Sequence, residues 1–384
     1  ISQYPNIPIP QYPNIPIPQY PNISIPVLAS LQRAISFFMK ILIAGQFKSW
    51  ALEHHFVRHL APFSEVHTYP AEDVFDDFYR ASIWNKLRFR LGATGIYDKI
   101  SRELLAKTEA CRPDIVWVFK GMRIMPETIK KLRDMGVKTA NYNPDHPFLF
   151  SSRGSGNENV TNSVGLFDLH LCYSRELQQR IEREYGIATA FLPFGHSLEN
   201  EVFEQIKNVP ETLAACFVGN PDDIRLAHIQ ALSDAGIQVD VYGHGWDRIL
   251  PRKRFVRVHD AVYGNDYWKK LREYRLQVNI FRPHNEGSHN MRTFEVPAVG
   301  GIMLAPDSPE HREFFSPGEE VFLYRSKTEM VEMAKYILAL PADKAARIRT
   351  AARARSVNDG YAYKDRAAQA FATFQHIRGC NKTS

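Results

Sequence analysis

Met39-Lys40-Ile41-Leu42-Ile43-Ala44-Gly45 sets four apolar side chains in succession and closes on a glycine. An unbroken apolar run this short is the pattern of a strand buried on both faces, as in a parallel sheet. Trp50, Leu52, His55, Phe56 and Leu60 then recur at helical spacing, so the unit reads strand, turn, helix. The alternation continues along the chain, with strands expected at 115–119, 137–141, 169–172 and 190–192 and helices at 100–110 and 126–135. A polar, acidic stretch at 198–212 separates this series from a second one. That second series has strands expected at 214–218, 239–242, 255–258, 277–280, 302–304 and 320–324, with helices at 224–235, 267–273 and 327–340. The class is α/β: two doubly wound, Rossmann-like domains facing a cleft at the carboxyl ends of their strands. The expected domains are 39–205 and 206–342, and a helical segment, 343–384, is expected to pack back on the first domain.

Residues 1–38 stand apart. The octad QYPNIPIP fills 3–10 and 11–18, and a near copy with Ser24 fills 19–26. A proline every two or three residues removes ladder donors and breaks helices, so this tract is expected to be a disordered, extended leader ahead of a start at Met39.

Of the 384 residues, 44% are apolar, which excludes a disordered or fibrous chain. The 48 Lys and Arg against 42 Asp and Glu leave a net charge of +6, suited to anionic small ligands and thin for a nucleic-acid binder. The cysteines Cys111, Cys172, Cys216 and Cys380 form no C-x-x-C pair, so neither a zinc ribbon nor a disulfide framework is indicated and a reducing, cytoplasmic setting is expected. The apolar stretch at 36–44 is too short to span a bilayer and is broken by Lys40, leaving at most peripheral membrane contact. Basic clusters at 86–90 and at Arg252-Lys253-Arg254, with Arg248 and Arg257 nearby, read as solvated faces or as contacts for an acidic surface. Asp76-Asp77 and Asp222-Asp223 lack a third ligand at metal spacing, so no metal is expected.

The stretch richest in chemistry is Asn290-Met291-Arg292-Thr293-Phe294-Glu295-Val296-Pro297-Ala298-Val299-Gly300-Gly301. Proline belongs in the first turn of a helix, which puts a start near Thr293 with that residue as N-cap, and Gly300-Gly301 end the helix. Free amides beside Arg292 suit a diphosphate, and Glu295 can accept from ribose hydroxyls; the bland alternative makes Arg292 and Glu295 a surface ion pair. Phe217-Val218-Gly219-Asn220 ends a strand before another helix, with Arg225 one turn inside it. Asn143-Pro144-Asp145-His146-Pro147 sets a carboxylate beside an imidazole and reads either as a catalytic loop or as an ordinary turn. His284, Asn285 and His289 lie on the approach to Arg292.

These residues resemble the CgeB-like (spore maturation protein type) glycosyltransferases, relatives of the group 1 GT-B enzymes. The likeness runs from Cys216-Phe217-Val218-Gly219-Asn220 through Tyr242-Gly243-His244-Gly245-Trp246 to Arg292-Thr293-Phe294-Glu295-Val296-Pro297-Ala298-Val299-Gly300-Gly301. It continues in Glu310-His311-Arg312-Glu313-Phe314-Phe315 and in 361–366, while the first domain matches loosely. The resemblance implies a GT-B fold and a glycosyltransferase moving a sugar from a nucleotide-diphosphate donor, UDP or a similar carrier, to a glycan, lipid-linked or protein acceptor. No metal, no separate cofactor and no nucleic acid are implied. By the same analogy Glu295 meets the ribose, Arg292 the leaving diphosphate, and Gly219, Asn220 and Arg225 the phosphates. His289, Asn290 and Thr293 complete the donor site, and Asp145 with His146 carries the catalysis. The alternative is a non-catalytic sugar-nucleotide or glycan-binding component of an envelope or coat. Group 1 enzymes often carry two glutamates separated by seven residues; Glu286 and Glu295 are separated by eight, so retention or inversion is open.

Overall fold

A computed structural model describes residues 39–48, 51–150, 154–250 and 254–379. The leader at 1–38, Trp50, Arg252, Lys253 and Cys380 lie outside the described residues. Two six-stranded sheets, every pairing parallel, carry the fold. The first contains β1 (Met39–Ala44), β2 (Ser64–Tyr69), β3 (Ile115–Phe119), β4 (Lys138–Tyr142), β5 (Leu169–Cys172) and β6 (Ala188–Phe191), in the order β2-β1-β3-β4-β5-β6. The second contains β7 (Thr212–Val218), β8 (Val239–Tyr242), β9 (Val256–His259), β10 (Tyr274–Val278), β11 (Met303–Pro306) and β12 (Phe322–Tyr324), in the order β12-β11-β10-β7-β8-β9. The doubly wound α/β class expected from the alternation is the one observed.

Burial explains the strands. Ile115-Val116-Trp117-Val118-Phe119 is buried throughout because helices cover both faces of the sheet. On one face Phe56, Trp117, Phe119 and Tyr142 pack ring on ring at centroid separations of 4.6–6.0 Å. Strand β2, absent from the sequence reading, is Ser-Glu-Val-His-Thr-Tyr; it pairs only with β1 and, as an edge, leaves Glu65 and Thr68 in water.

The C-terminal segment forms two helices, Ala342–Asn358 and Tyr363–Gly379. The first packs on the second lobe, where Arg349 donates to the carbonyls of Arg272, Tyr274 and Gly300 and pairs with Glu211 at 2.7 Å. The chain then crosses to the first lobe, the amide of Tyr363 bonding the carbonyl of His196 and Arg366 the carbonyl of Phe194. The last helix lies on helix Leu52–Leu60, with Phe374 against Trp117. Among the described residues no helix is long and apolar enough to cross a membrane. Cys111, Cys172 and Cys216 are free thiols.

Candidate functional site

In the second sheet β7 leads on to β8 on one side and β10 to β11 on the other, so the chain reverses direction between these central neighbours. Such a switch point opens a crevice outside the carboxyl ends of the strands. Here the crevice is real: Val218, Gly219, Asn279 and Ile280 line a cleft of about 360 Å³ together with Arg225, Arg282, His284, Asn290 and Arg292. The first lobe closes the other wall with Pro144, Asp145 and Phe194.

Three guanidinium groups converge there. Arg225 donates to the Asn220 carbonyl at 2.8 Å, and both Arg225 and Arg282 lie 3.5 Å from the single carboxylate of Asp222. Burial first, and the neighbouring charge of Arg282 second, lower the pKa of Arg225 to about 10, with Asp222 opposing and Arg292 adding. A guanidinium lowered by burial and by its cationic neighbours marks a locally positive potential, the kind an anionic group relieves. Arg292 reaches the carbonyl of Val218 through Nε and Nη2 at 3.3 and 3.2 Å, forms an ion pair with Glu295, and stacks over Tyr267 at 4.7 Å. Tyr267 in turn donates to Glu295 Oε2 at 2.7 Å. The ion pair between Arg292 and Glu295 is therefore present, and Arg292 still faces the cleft.

Two expected ligands, Thr293 and His289, are turned away from the cleft, and the helix Arg292–Ala298 begins elsewhere than expected. Its N-cap position is Met291, not Thr293, and Pro297 lies beyond the first turn. Thr293 is 0% exposed and hydrogen-bonds His311 Nε2 at 2.8 Å, since a step of 100° from Arg292 turns it into the core. His289 is equally buried: Nε2 accepts the amide of Phe194, Nδ1 meets Glu310, and four phenylalanine rings surround it, so it does not reach the cleft. Asn290 does line the cleft and exchanges side-chain hydrogen bonds with Asn279 at 2.7 and 3.0 Å. Asn220 is exposed outside it, its side chain accepting the amide of His244. Gly219 lies where β7 meets the cleft. Its neighbour Gly243 must be glycine, because a Cβ there would stand 2.3 Å from the Gly219 carbonyl oxygen.

The pair Asp145-His146 is split. Asp145 lines the cleft and is held by Lys120 Nζ at 2.6 Å. His146 points back into its own loop, where Nδ1 accepts the amide of Phe148, and burial lowers its pKa to about 4. The imidazole on the cleft is His284, which burial keeps below the ordinary histidine range, with Asp145 opposing and Arg282, Arg225 and Lys120 adding. Its Nδ1 is buried with no hydrogen-bond partner.

Two residues of the first lobe escaped the sequence reading. Lys120 takes φ +60° just past β3, a conformation that costs a non-glycine residue about 1–3 kcal/mol and is kept where its side chain is needed. Glu53, 7% exposed, accepts the amide of Gln46 at 2.8 Å; burial pushes its pKa up to about 7. The signal that could have found it is an acid in the first turn of the helix after the β1 glycine. Among the described residues no three His, Cys, Asp or Glu side chains are grouped as metal ligands.

Comparison with known proteins agrees with this geometry. Residues 225–372 match the family described as glycosyl transferase-like. No curated protein matches the sequence significantly. Among solved structures, sucrose-phosphate synthase from Thermosynechococcus elongatus superposes with a TM-score of 0.61 at 13% identity, covering 89% of this chain and 100% of that one. The Anabaena protein HepE in complex with UDP-glucose gives 0.59 at 13% identity, covering 88% and 100%. A putative UDP-N-acetylglucosamine 2-epimerase from Listeria monocytogenes gives 0.57 at 12% identity, covering 89% and 98%. The fold is GT-B, and residues 225–372 are similar to the glycosyl transferase-like family.

Proposed function

We propose that this protein transfers a sugar from a UDP-linked donor to an acceptor hydroxyl, without a metal, in the manner of the group 1 and CgeB-like enzymes. The observation that carries the proposal is the convergence of Arg225, Arg282 and Arg292 at the switch point of the second sheet. Departure of a nucleoside diphosphate develops negative charge, and fixed guanidinium groups in a part-dry cleft stabilise it with little reorganisation. Glu295 orients Arg292 through Oε2 and, in this reading, offers Oε1 to the ribose. The acceptor lies against the first lobe, where Asp145 of that lobe and His284, across the cleft on the second, face the reacting hydroxyl and one of them takes its proton. The family match favours transfer over the epimerase chemistry that the same fold also hosts.

Calorimetric titration with UDP, GDP and their sugar conjugates, followed by donor hydrolysis assays, tests this reading. Saturable UDP binding with slow release of UDP from one UDP-sugar is expected. Binding without turnover would instead mark a sugar-nucleotide-binding component, and no nucleotide binding would end the proposal.

The pH profile separates the two bases. A base must be deprotonated to act, so activity is lost as pH falls through its pKa. If His284 serves, the acidic limb of kcat/KM lies below the ordinary histidine value of about 6.5, because burial lowers it. His284→Gln then removes that limb while UDP affinity holds. If Asp145 serves, Asp145→Asn lowers turnover with donor affinity unchanged, and the limb survives in His284→Gln.

A further inference from the structure

The helix Ile83–Arg90, between helices Ala71–Ala81 and Ile96–Cys111 of the first lobe, is built inside out. Ser82 caps it by accepting the amide of Asn85, and it buries none of its residues. Ile83, Trp84, Leu87 and the C-cap residue Leu91 are 77, 69, 45 and 71% exposed. At 100° per residue these four fall within an arc of about 100°. Arg88 flanks that arc on one side and Arg90 and Lys86 on the other, and the segment contains no acid. The helix is moored only by its opposite side. Phe89 packs edge-on against Phe75 at 4.9 Å, and Asn85 donates to the Phe78 carbonyl at 2.8 Å.

Single exposed apolar residues need no explanation, but four on one stripe of a short helix do. We propose that this face docks the protein on an anionic lipid surface, Trp84, Ile83, Leu87 and Leu91 entering the headgroup boundary and Lys86, Arg88 and Arg90 meeting acidic headgroups. Two observations favour a bilayer over a second copy of the chain. Cations line both sides of the apolar arc, so two copies face to face would bring like charges together, whereas a sheet of anionic headgroups matches them. The stripe also offers only four apolar residues, whereas each side of a stable protein interface brings roughly 20–30 residues. Tryptophan at the rim suits the interface, where an amphipathic ring keeps its N–H in water. The surface stands apart from the cleft, so it holds or fails independently of the transferase reading.

The test is co-sedimentation of the full chain with vesicles of phosphatidylcholine alone and of equal parts phosphatidylcholine and phosphatidylglycerol. Binding to the anionic vesicles, weakened but not abolished by high salt, is expected. Ile83→Ser/Trp84→Ser/Leu87→Ser and, separately, Lys86→Ser/Arg88→Ser/Arg90→Ser should each lower it about tenfold or more. All six positions are exposed or half-exposed, so the thermal midpoint should not move. Tryptophan fluorescence should shift to the blue on anionic vesicles, and Trp84→Phe should lose the shift while still sedimenting. No binding to the anionic vesicles overturns the proposal, as does equal binding by wild type and both triple variants. So does self-association that the apolar variant abolishes in a protein that ignores lipid.

Discussion

Arg292→Ala is expected to lower kcat/KM for the UDP-sugar by about 10²–10³-fold, the loss typical of removing one donor that stabilises developing charge. The argument starts from geometry. Arg292 is gripped from behind by the Val218 carbonyl, Glu295 and the face of Tyr267, so its orientation is fixed before a ligand arrives. Burial would lower its pKa, but Tyr267 and Glu295 raise it above the ordinary arginine value, so the cation is retained. A charge held this way costs little to reorganise when the diphosphate leaves. Arg292→Lys keeps the charge but loses the planar fork that bonds Val218 and Glu295 together, and should fall between wild type and alanine. Arg248→Ala, on the exposed surface, should change nothing and serves as the control for general loss of positive charge. Calorimetry with UDP alone separates a loss of binding from a loss of turnover. Unchanged kcat/KM in Arg292→Ala would remove the diphosphate from this wall of the cleft.

The parts of this design that were readable from the sequence are those written in burial. Ile115 to Phe119 is apolar at every position because the sheet is covered on both sides, and that pattern has one reading. Strand β2 is written in Ser, Glu, His and Thr because an edge strand needs only one partner, so nothing local separates it from a loop. The cleft shows the same division. Arg225, Arg292 and Asp145 were legible because charge beside a strand end or a helix start has few other uses. His289 and Thr293 look like ligands by proximity in the chain, yet the helix turns Thr293 through 100° from Arg292 into the core, and His289, in the loop before that helix, is held inward by the Phe194 amide and Glu310. Glu53 was invisible because its chemistry comes from desolvation, which depends on Gly45 and Phe119 lying close in space.

His289 belongs instead to the joint between the lobes, and Glu310→Ala should cost about 1–3 kcal/mol of stability there, as leaving buried hydrogen-bond donors without their acceptor does. Glu310, 3% exposed, accepts from Ser288 Oγ at 2.6 Å, from His289 Nδ1, and across the lobe boundary from the amide of Arg175 at 2.7 Å. Because His289 Nε2 accepts the amide of Phe194, the ring carries its single proton on Nδ1 and is neutral. Burial alone would raise the Glu310 carboxyl, but the hydrogen bonds from His289, Ser288 and Arg175 outweigh it and hold the pKa below the ordinary carboxylate value. A carboxyl lowered on folding adds stability above its unfolded pKa, near 4.3, and loses it as pH falls through the folded value. Burial also lowers His289, so below about 6.5 the unfolded chain takes up a proton that the folded chain refuses, and stability declines further. Denaturant unfolding of wild type and Glu310→Ala from pH 7 to pH 3 checks both points. Both proteins should lose stability below about pH 6.5 through His289, while the gap between them should persist down to about pH 4.3 and narrow only below it as Glu310 takes up its proton, whereas Arg347→Ala, which breaks an exposed pair with Asp343, should leave the curve where it is. A Glu310→Ala protein as stable as wild type at pH 7 would mean that the lobes are joined by their aromatic packing and the terminal helices alone.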